Sequence, residues 1–134
     1  MFTTWTTIRK LRICVIFDAD ANARNAEIVI GSVLPGHECE LQLLGFDELS
    51  GPACAIDAAR NAAEADMLLL AIHGDRVLPS HVRMWLGLCL GLRDRDCAGA
   101  LAVLITQPTG SKELDASLID YLETVAIIGG LSFL

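Results

Sequence analysis

The chain has 134 residues, of which 53% are hydrophobic and 5% aromatic, and its formal net charge is −7 at pH 7. This length suits a single domain that buries about two-thirds of the surface of the unfolded chain. Proteins that bind nucleic acid need a basic surface to neutralise phosphates, so the sequence predicts that nucleic acid is not a partner. The apolar runs stop well before the roughly 20 residues of a membrane span, so no membrane association is predicted either.

The cysteines indicate a reducing compartment. They are odd in number, lie singly along the chain and form no C-x-x-C pair, as a disulfide framework or zinc site would require. The amino terminus lacks the order of a secretory signal, in which charge precedes an apolar stretch. We therefore expect a cytoplasmic protein with five reduced cysteines, namely Cys14, Cys39, Cys54, Cys89 and Cys97.

The first third of the chain predicts a leader, a strand and a helix. Residues 1–10 are expected to be a flexible leader, and residues 11–134 a single domain. Residues 11–17 (LRICVIF) form a β-branched apolar run typical of a strand. A helix follows over 19–34, and Asp18 or Asp20 can cap it, because a carboxylate satisfies the first N–H groups of a helix. The predicted inner stripe of this helix consists of Ala23, Ala26, Ile30 and Val33.

The middle of the chain repeats this alternation. Residues 39–44 alternate between apolar and polar, which favours a strand near an edge of the sheet. An Ala-rich helix is predicted over 52–65, with Pro52 in its first turn. Residues 67–72 form a buried strand, and a helix opened by Pro79 continues to Arg93.

The last third predicts a strand, a helix and a short strand. Residues 100–106 (ALAVLIT) form the fourth strand. A helix capped by Ser111 or Asp115 runs to about residue 128 and ends at Gly129-Gly130. Residues 131–134 are long enough for a short fifth strand.

Alternating strands and helices, with continuous apolar runs in the third and fourth strands, are typical of a parallel sheet covered on both faces. Five strands and four helices predict an α/β, three-layer, doubly wound domain. Its expected topology is flavodoxin-like or CheY-like, with a mostly parallel sheet in the order 2-1-3-4-5.

This strand order predicts a crevice at the carboxyl ends of the first, third and fourth strands, where Asp18, Asp20, His73, Asp75 and Thr106 gather. Such a set can bind a divalent metal or act as an acid–base pair around His73. It can equally be structural, because Asp caps helices and closes turns beside glycine. The sequence leaves these alternatives open, and no cofactor is predicted beyond that possible divalent metal.

Motifs for nucleotides and for nucleophilic catalysis are lacking. The turn after the first strand reads Asp-Ala-Asp-Ala-Asn-Ala over 18–23, where a dinucleotide fold carries G-x-G-x-x-G. Neither a Walker motif nor a G-x-S-x-G elbow occurs. An enzymatic role is therefore not favoured, and no catalytic residue is assigned.

The layout resembles the receiver domains of two-component signalling. Asp18 and Asp20 resemble the acidic pair of that family, and Thr106 resembles its hydroxyl residue. The third strand, however, ends at His73 with no Asp before Asp75, and no Lys follows the fifth strand. The resemblance therefore implies a degenerate receiver-like module without conventional phosphorylation.

A second resemblance is to a family of short, uncharacterised bacterial proteins. It rests on Ala65-Asp66-Met67, on the segment L-P-x-x-V-R-x-W at 78–85, and on the strand at 100–105. The helix at 118–128 with the Gly-Gly-Leu-Ser-Phe ending is similar as well. This resemblance implies the fold and carries no established activity.

The third predicted helix is apolar around most of its circumference, whereas a helix on a sheet needs only one stripe. Gly87 and Gly91 share a face that would allow a second backbone to come close, at up to about 1 kcal/mol of helix propensity each. We therefore expect a homodimer or a protein partner at this helix, although deep burial within one chain remains an alternative. The predicted interface residues are Met84, Trp85, Leu88, Leu92, Gly87 and Gly91.

The sequence thus favours a non-enzymatic receiver-like signalling or interaction module, and the alternative is a small metal-binding protein or enzyme that uses the acidic crevice.

Overall fold

The computed structural model describes residues 11–34, 38–73, 78–94, 99–106 and 112–133. The predicted leader, Asp75 and Cys97 lie outside these residues. The elements are β1 (Leu11–Phe17), α1 (Asp20–Val33), β2 (Cys39–Gly45), a 3-10 helix (Phe46–Leu49), α2 (Pro52–Ala63), β3 (Met67–His73), α3 (Ser80–Leu92), β4 (Ala100–Thr106), α4 (Lys112–Gly129) and β5 (Ser132–Phe133).

The strands form one parallel sheet in the order β2-β1-β3-β4-β5, which confirms the predicted fold class and topology. Each central strand is a β-branched or leucine-rich run, and five of the seven residues of β3 are buried. Such runs suit strands that are covered on both faces. The register aligns the carboxyl ends of β1, β3 and β4, so residues after these strands lie along one edge.

Two apolar layers cover the sheet. On one face, Ala26 and Ile30 of α1 pack against Val15 and Leu69. On the other face, side chains from α2, α3 and α4 pack against Cys14, Ile16, Leu68, Leu70 and Leu101. Of the helices in the described part of the chain, none has the length and apolar character needed to cross a lipid bilayer.

Helix α1 differs from its predicted form. Its N-cap is Ala19, and no side chain caps it, so the predicted capping by Asp18 or Asp20 is wrong. Val33, predicted to face inward, is 69% exposed, and Asn22 is buried instead. The side-chain amide of Asn22 donates to Asp18, which gives this buried polar group a partner, whereas Val33 is the last residue of the helix.

Other local predictions hold. Pro52 lies in the first turn of α2, where its missing N–H costs nothing. Gly130 follows α4 with a φ of 73°, a conformation that glycine adopts without strain and that commonly ends a helix. Strand β2 lies at an edge of the sheet, as its alternating pattern predicted.

Candidate functional site

Asp18 joins the ends of β1 and β3. Its Oδ2 accepts a hydrogen bond from the backbone N–H of His73 at 2.9 Å, and its Oδ1 accepts one from Nδ2 of Asn22 at 2.5 Å. The backbone N–H of Asp18 also donates to the carbonyl of Ala71. Both carboxylate oxygens are therefore occupied in holding the carboxyl edge of the sheet together, which favours a structural role for this residue.

The remaining predicted crevice residues are only partly assembled. His73 pairs in register with Thr106, so β3 and β4 end at the same level as predicted. Asp20 is exposed in the first turn of α1. The position of Asp75 lies outside the described residues. The structure thus brings Asp18 and His73 together, with the backbone of Thr106 beside His73.

A cavity of about 180 Å³ opens at this edge, lined by Asp18, Phe46, Asp47, Ile72, His73, Leu78, Pro79 and His81. Asp47 and His81 were not predicted, because they come from the 3-10 helix and from α3. A hydrogen bond of 2.9 Å from Nε2 of His81 to the carbonyl of Phe46 holds these two elements together. No local pattern in the sequence signals a contact between residues 35 positions apart. Within the described ranges, no three His, Cys, Asp or Glu side chains come together as metal ligands would.

Helix α3 separates its apolar residues into two opposite faces. The inward face is buried and consists of Val82, Trp85, Leu86, Cys89 and Leu90. On the outward face, Met84 is 75% exposed, Leu88 41% and Leu92 48%. At 100° per residue, these three side chains and Gly87 and Gly91 fall within about 140° of the circumference. We call these five residues the outer stripe: Met84, Gly87, Leu88, Gly91 and Leu92.

Trp85 does not belong to that surface, contrary to the sequence prediction. Its side chain is 2% exposed, and its indole N–H donates to the carbonyl of Ala55 in α2 at 2.9 Å. Leu78 and Val82 are buried as well. The segment L-P-x-x-V-R-x-W therefore fixes α3 in the core through its apolar residues. Its arginine, Arg83, lies over the ring of Tyr121 in α4, 5.0 Å from the centroid.

The two glycines of the outer stripe face open space. A Cβ atom built on Gly87 or on Gly91 would meet no heavy atom within 4 Å. Packing within the described part of the chain therefore gives no reason for glycine at either position. Because glycine disfavours a helix relative to alanine, these two residues weaken α3 without a compensating contact among the described residues.

Three solved structures share the fold. A flavodoxin of Streptococcus pneumoniae TIGR4 superposes with a TM-score of 0.57 at 16% identity, over 92% of this chain and 79% of that one. A diflavin flavoprotein A3 from Nostoc sp. gives 0.55 at 15% identity, over 93% and 75%. The Trp repressor binding protein of Bacillus subtilis gives 0.53 at 11% identity, over 90% and 79%. At these identities the likeness shows a flavodoxin-like fold and nothing about activity.

No protein-family model matches the chain, and no curated protein is similar to it in sequence. The resemblances to receiver domains and to short bacterial proteins therefore receive no support beyond the shared flavodoxin-like fold.

Proposed function

We propose that this chain is a non-enzymatic, receiver-like signalling or interaction module that associates through the outer stripe of α3. The observation that supports it is a continuous apolar surface on that helix, built from Met84, Leu88 and Leu92. Helix α3 carries no Asp, Glu or Lys, and its single Arg lies on the flank toward α4. A soluble chain gains free energy by removing such a surface from water, at roughly 25 cal/mol per Å² of apolar area.

Helix α1 also exposes apolar residues, but it exposes charged ones with them. Ile28, Val29 and Val33 are 67%, 37% and 69% exposed and span about 140° of that helix at 100° per residue. Glu27 and Arg24 are exposed on the same helix, whereas the outer stripe of α3 contains no charged residue, so the outer stripe is the better candidate interface.

The occupant that we propose for the outer stripe is α3 of a second copy. Helices pack with their axes 8–10 Å apart, at the lower end where small residues meet. Gly87 and Gly91 lie about one turn apart and leave a flat strip beside Met84 and Leu88, on which a second helix can lie. Because the stripe is uncharged, two copies can face each other across a two-fold axis without like-charge repulsion.

Sedimentation velocity over a range of concentrations tests this proposal. We expect Leu88→Asp to lower the weight-average mass, because it places a charge in an apolar interface. Ile28→Asp is the matched control, since it puts the same charge at an exposed apolar residue of α1 and should leave the mass unchanged. Equal masses for the wild type and both variants would rule the proposal out.

The names flavodoxin and diflavin flavoprotein indicate that those two proteins bind a flavin. The residues at the first turn after β1 in this chain do not suit a flavin. The phosphate of a nucleotide binds well at a helix amino terminus, where backbone N–H groups are unoccupied and the dipole is positive. Here that turn carries the carboxylates of Asp18 and Asp20, whose negative charges oppose a phosphate.

A second candidate function uses the cavity beside Asp18 and His73 for a small ligand or a divalent cation. The observation in its favour is the position of this cavity, at the carboxyl ends of β1 and β3, where doubly wound domains bind ligands. Calorimetric titration with Mg²⁺, Mn²⁺ and Zn²⁺ tests the metal version. Binding that is lost in Asp47→Ala would support it, and no heat with any of the three ions would remove it.

A further inference from the structure

We propose that β2 is a second, independent association surface, at which two copies of this chain pair their edge strands into one continuous sheet. The two edges of the sheet differ strongly. Strand β5 has two residues, whereas β2 has seven and no strand beyond it in the described part of the chain. A long edge without proline or lysine offers a row of backbone groups to another strand. The only charged residue in β2 is Glu40.

The hydrogen bonds of the sheet identify the backbone groups that point outward. The N–H of Leu11 donates to the carbonyl of Glu38, whereas the carbonyl of Arg12 accepts from Asp66 on the β3 side. The backbone groups of odd-numbered residues of β1 therefore form hydrogen bonds to β2, and those of even-numbered residues of β2 form hydrogen bonds to β1. It follows that the N–H and C=O groups of Leu41 and Leu43 point away from the sheet.

These outward groups fit a two-fold axis through Gln42. In that antiparallel register, Leu41 of one copy lies opposite Leu43 of the second copy, and each of these two pairs can exchange two backbone hydrogen bonds. Gln42 then faces Gln42 of the second copy as a pair without backbone hydrogen bonds. If the two-fold axis passed between two residues, the outward-pointing N–H and C=O groups of one strand would face residues of the other strand whose groups point inward. Such registers could not form the backbone hydrogen bonds and are excluded.

The side chains are also complementary in this register. Leu43 is 39% exposed, and it would pack against Leu41 of the second copy on the α1 face, since apolar pairs opposite each other stabilise antiparallel strands. Glu40 would lie opposite Leu44. The two Glu40 carboxylates would be four residues apart along the strand, about 13 Å, so no like charges meet.

The helices leave room for a second sheet beside β2. Of the seven residues of β2, only Leu44 is buried. On the α2 face, an open groove of about 460 Å³ lies between β2 and the end of α2, lined by Arg12, Ile13, Cys14, Glu40, Leu41, Gln42, Asn61, Glu64 and Ala65. Most of β2 is therefore left uncovered by the helices of the described residues, so a second sheet can approach its edge.

Disulfide trapping tests this register directly. The test uses Gln42→Cys in the full chain, with Cys39, Cys54 and Cys97 replaced by serine, under mild oxidation. A pair without backbone hydrogen bonds places its Cα atoms about 4.5 Å apart, within the range of a disulfide. Glu40→Cys is the matched control, because it lies on the same face of the same strand and its two thiols would be about 13 Å apart.

We expect Gln42→Cys to form a covalent dimer about tenfold faster than Glu40→Cys or more, because only the first thiol pair is held together by the interface. The faster reaction should persist when Leu88→Asp is added, since the α3 surface plays no part in it. Equal rates of dimer formation for the two variants would overturn the proposal. A complete lack of covalent dimer from either variant would also overturn it, and would mean that a second copy of the chain does not bind at β2. The effect of Leu88→Asp on association tests only the proposed α3 interface. The α3 proposal and the β2 proposal can therefore be contradicted independently of each other.

Discussion

Asp18 Oδ2 lies 2.9 Å from the backbone nitrogen of His73, 55 residues further along the chain. This hydrogen bond joins the carboxyl ends of two neighbouring parallel strands, and the other oxygen of the same carboxylate holds Asn22 at the start of α1. One side chain therefore connects β1, α1 and β3 at the edge where a doubly wound domain has its crevice.

Asp18→Ala should lower the free energy of unfolding by about 1–3 kcal/mol, because it removes the hydrogen bonds that Asp18 accepts from the amide of buried Asn22 and from the N–H of His73. Asp20→Ala, at an exposed position of the same turn, should cost less than about 1 kcal/mol, the size of a helix-dipole effect. Urea denaturation followed by circular dichroism measures both. Equal stabilities for the two variants would contradict the structural role of Asp18.

Gly99 should tolerate no larger residue. A Cβ atom there would collide with the guanidinium of Arg93 and lie 2.9 Å from Cδ2 of Leu131. Arg93 is buried and donates to the carbonyls of Ala63 and Ala65, so moving its guanidinium away would break these hydrogen bonds. Gly99→Ala should destabilise the chain by about 1–3 kcal/mol, as overpacking does. In the control Gly31→Ala, where a Cβ meets nothing within 4 Å, the melting temperature should not fall.

Gly87→Ala and Gly91→Ala should change stability and association in opposite directions. Each adds helix propensity worth up to about 1 kcal/mol and meets no atom of the described residues within 4 Å. Each also places a methyl group where a second helix is proposed to approach. We therefore expect a higher melting temperature in dilute solution together with a larger dissociation constant. Gly31→Ala, on α1, should raise stability alone, and tighter association of the α3 variants would contradict the proposed packing.

The two core thiols should make the chain less stable in alkali. Burial raises the pKa of Cys14 to about 12, and neighbouring Cys89 adds to the effect. Burial likewise raises the pKa of Cys89 to about 12, which Arg93 partly opposes. Both thiols stay neutral in the folded chain while those of the unfolded chain ionise. The stability that this provides is complete below about pH 9 and is lost between pH 9 and 12.

The expected loss is about 1.4 kcal/mol per pH unit for each thiol above pH 9. The wild type should therefore lose about 2–3 kcal/mol more than Cys14→Ala/Cys89→Ala between pH 8 and pH 10, as measured by urea denaturation. Cys54→Ala, which removes an exposed thiol, should behave like the wild type. Identical pH profiles for the wild type and the double variant would show that the core thiols do not contribute.

Structural features that depend on the periodicity of the sequence were predicted correctly, whereas contacts between residues far apart in the sequence were not. The strands at Met67–His73 and Ala100–Thr106 were found because continuous apolar runs mark buried parallel strands. The burial of Asn22 is not predicted by the sequence, since an amide is rarely buried without a specific partner. Its partner, Asp18, lies only four residues earlier in the chain. The second hydrogen bond of Asp18, from the N–H of His73, is the one that depends on β1 and β3 being neighbours.

The same reasoning explains the mixed outcome for α3. The sequence of an apolar helix does not show which of its residues face the core and which face solvent. Trp85 and Leu88 were therefore both predicted to be interface residues. The packing of α2 separates them, because the carbonyl of Ala55 accepts the indole N–H. Asp47 and His81 were missed for a related reason, since the 3-10 helix meets α3 only in the folded chain.

Oxidation of Met84 by dilute peroxide, followed by peptide mass spectrometry over a range of protein concentrations, tests the proposed α3 interface most directly. In the isolated chain Met84 is 75% exposed. If α3 pairs with α3 of a second copy, the oxidation rate of Met84 should fall as concentration rises, and Leu88→Asp should restore the full rate. The half-buried Met67, on the opposite face of the sheet, serves as the internal reference. A Met84 rate that stays the same at every concentration, in the wild type and in Leu88→Asp, would contradict the account.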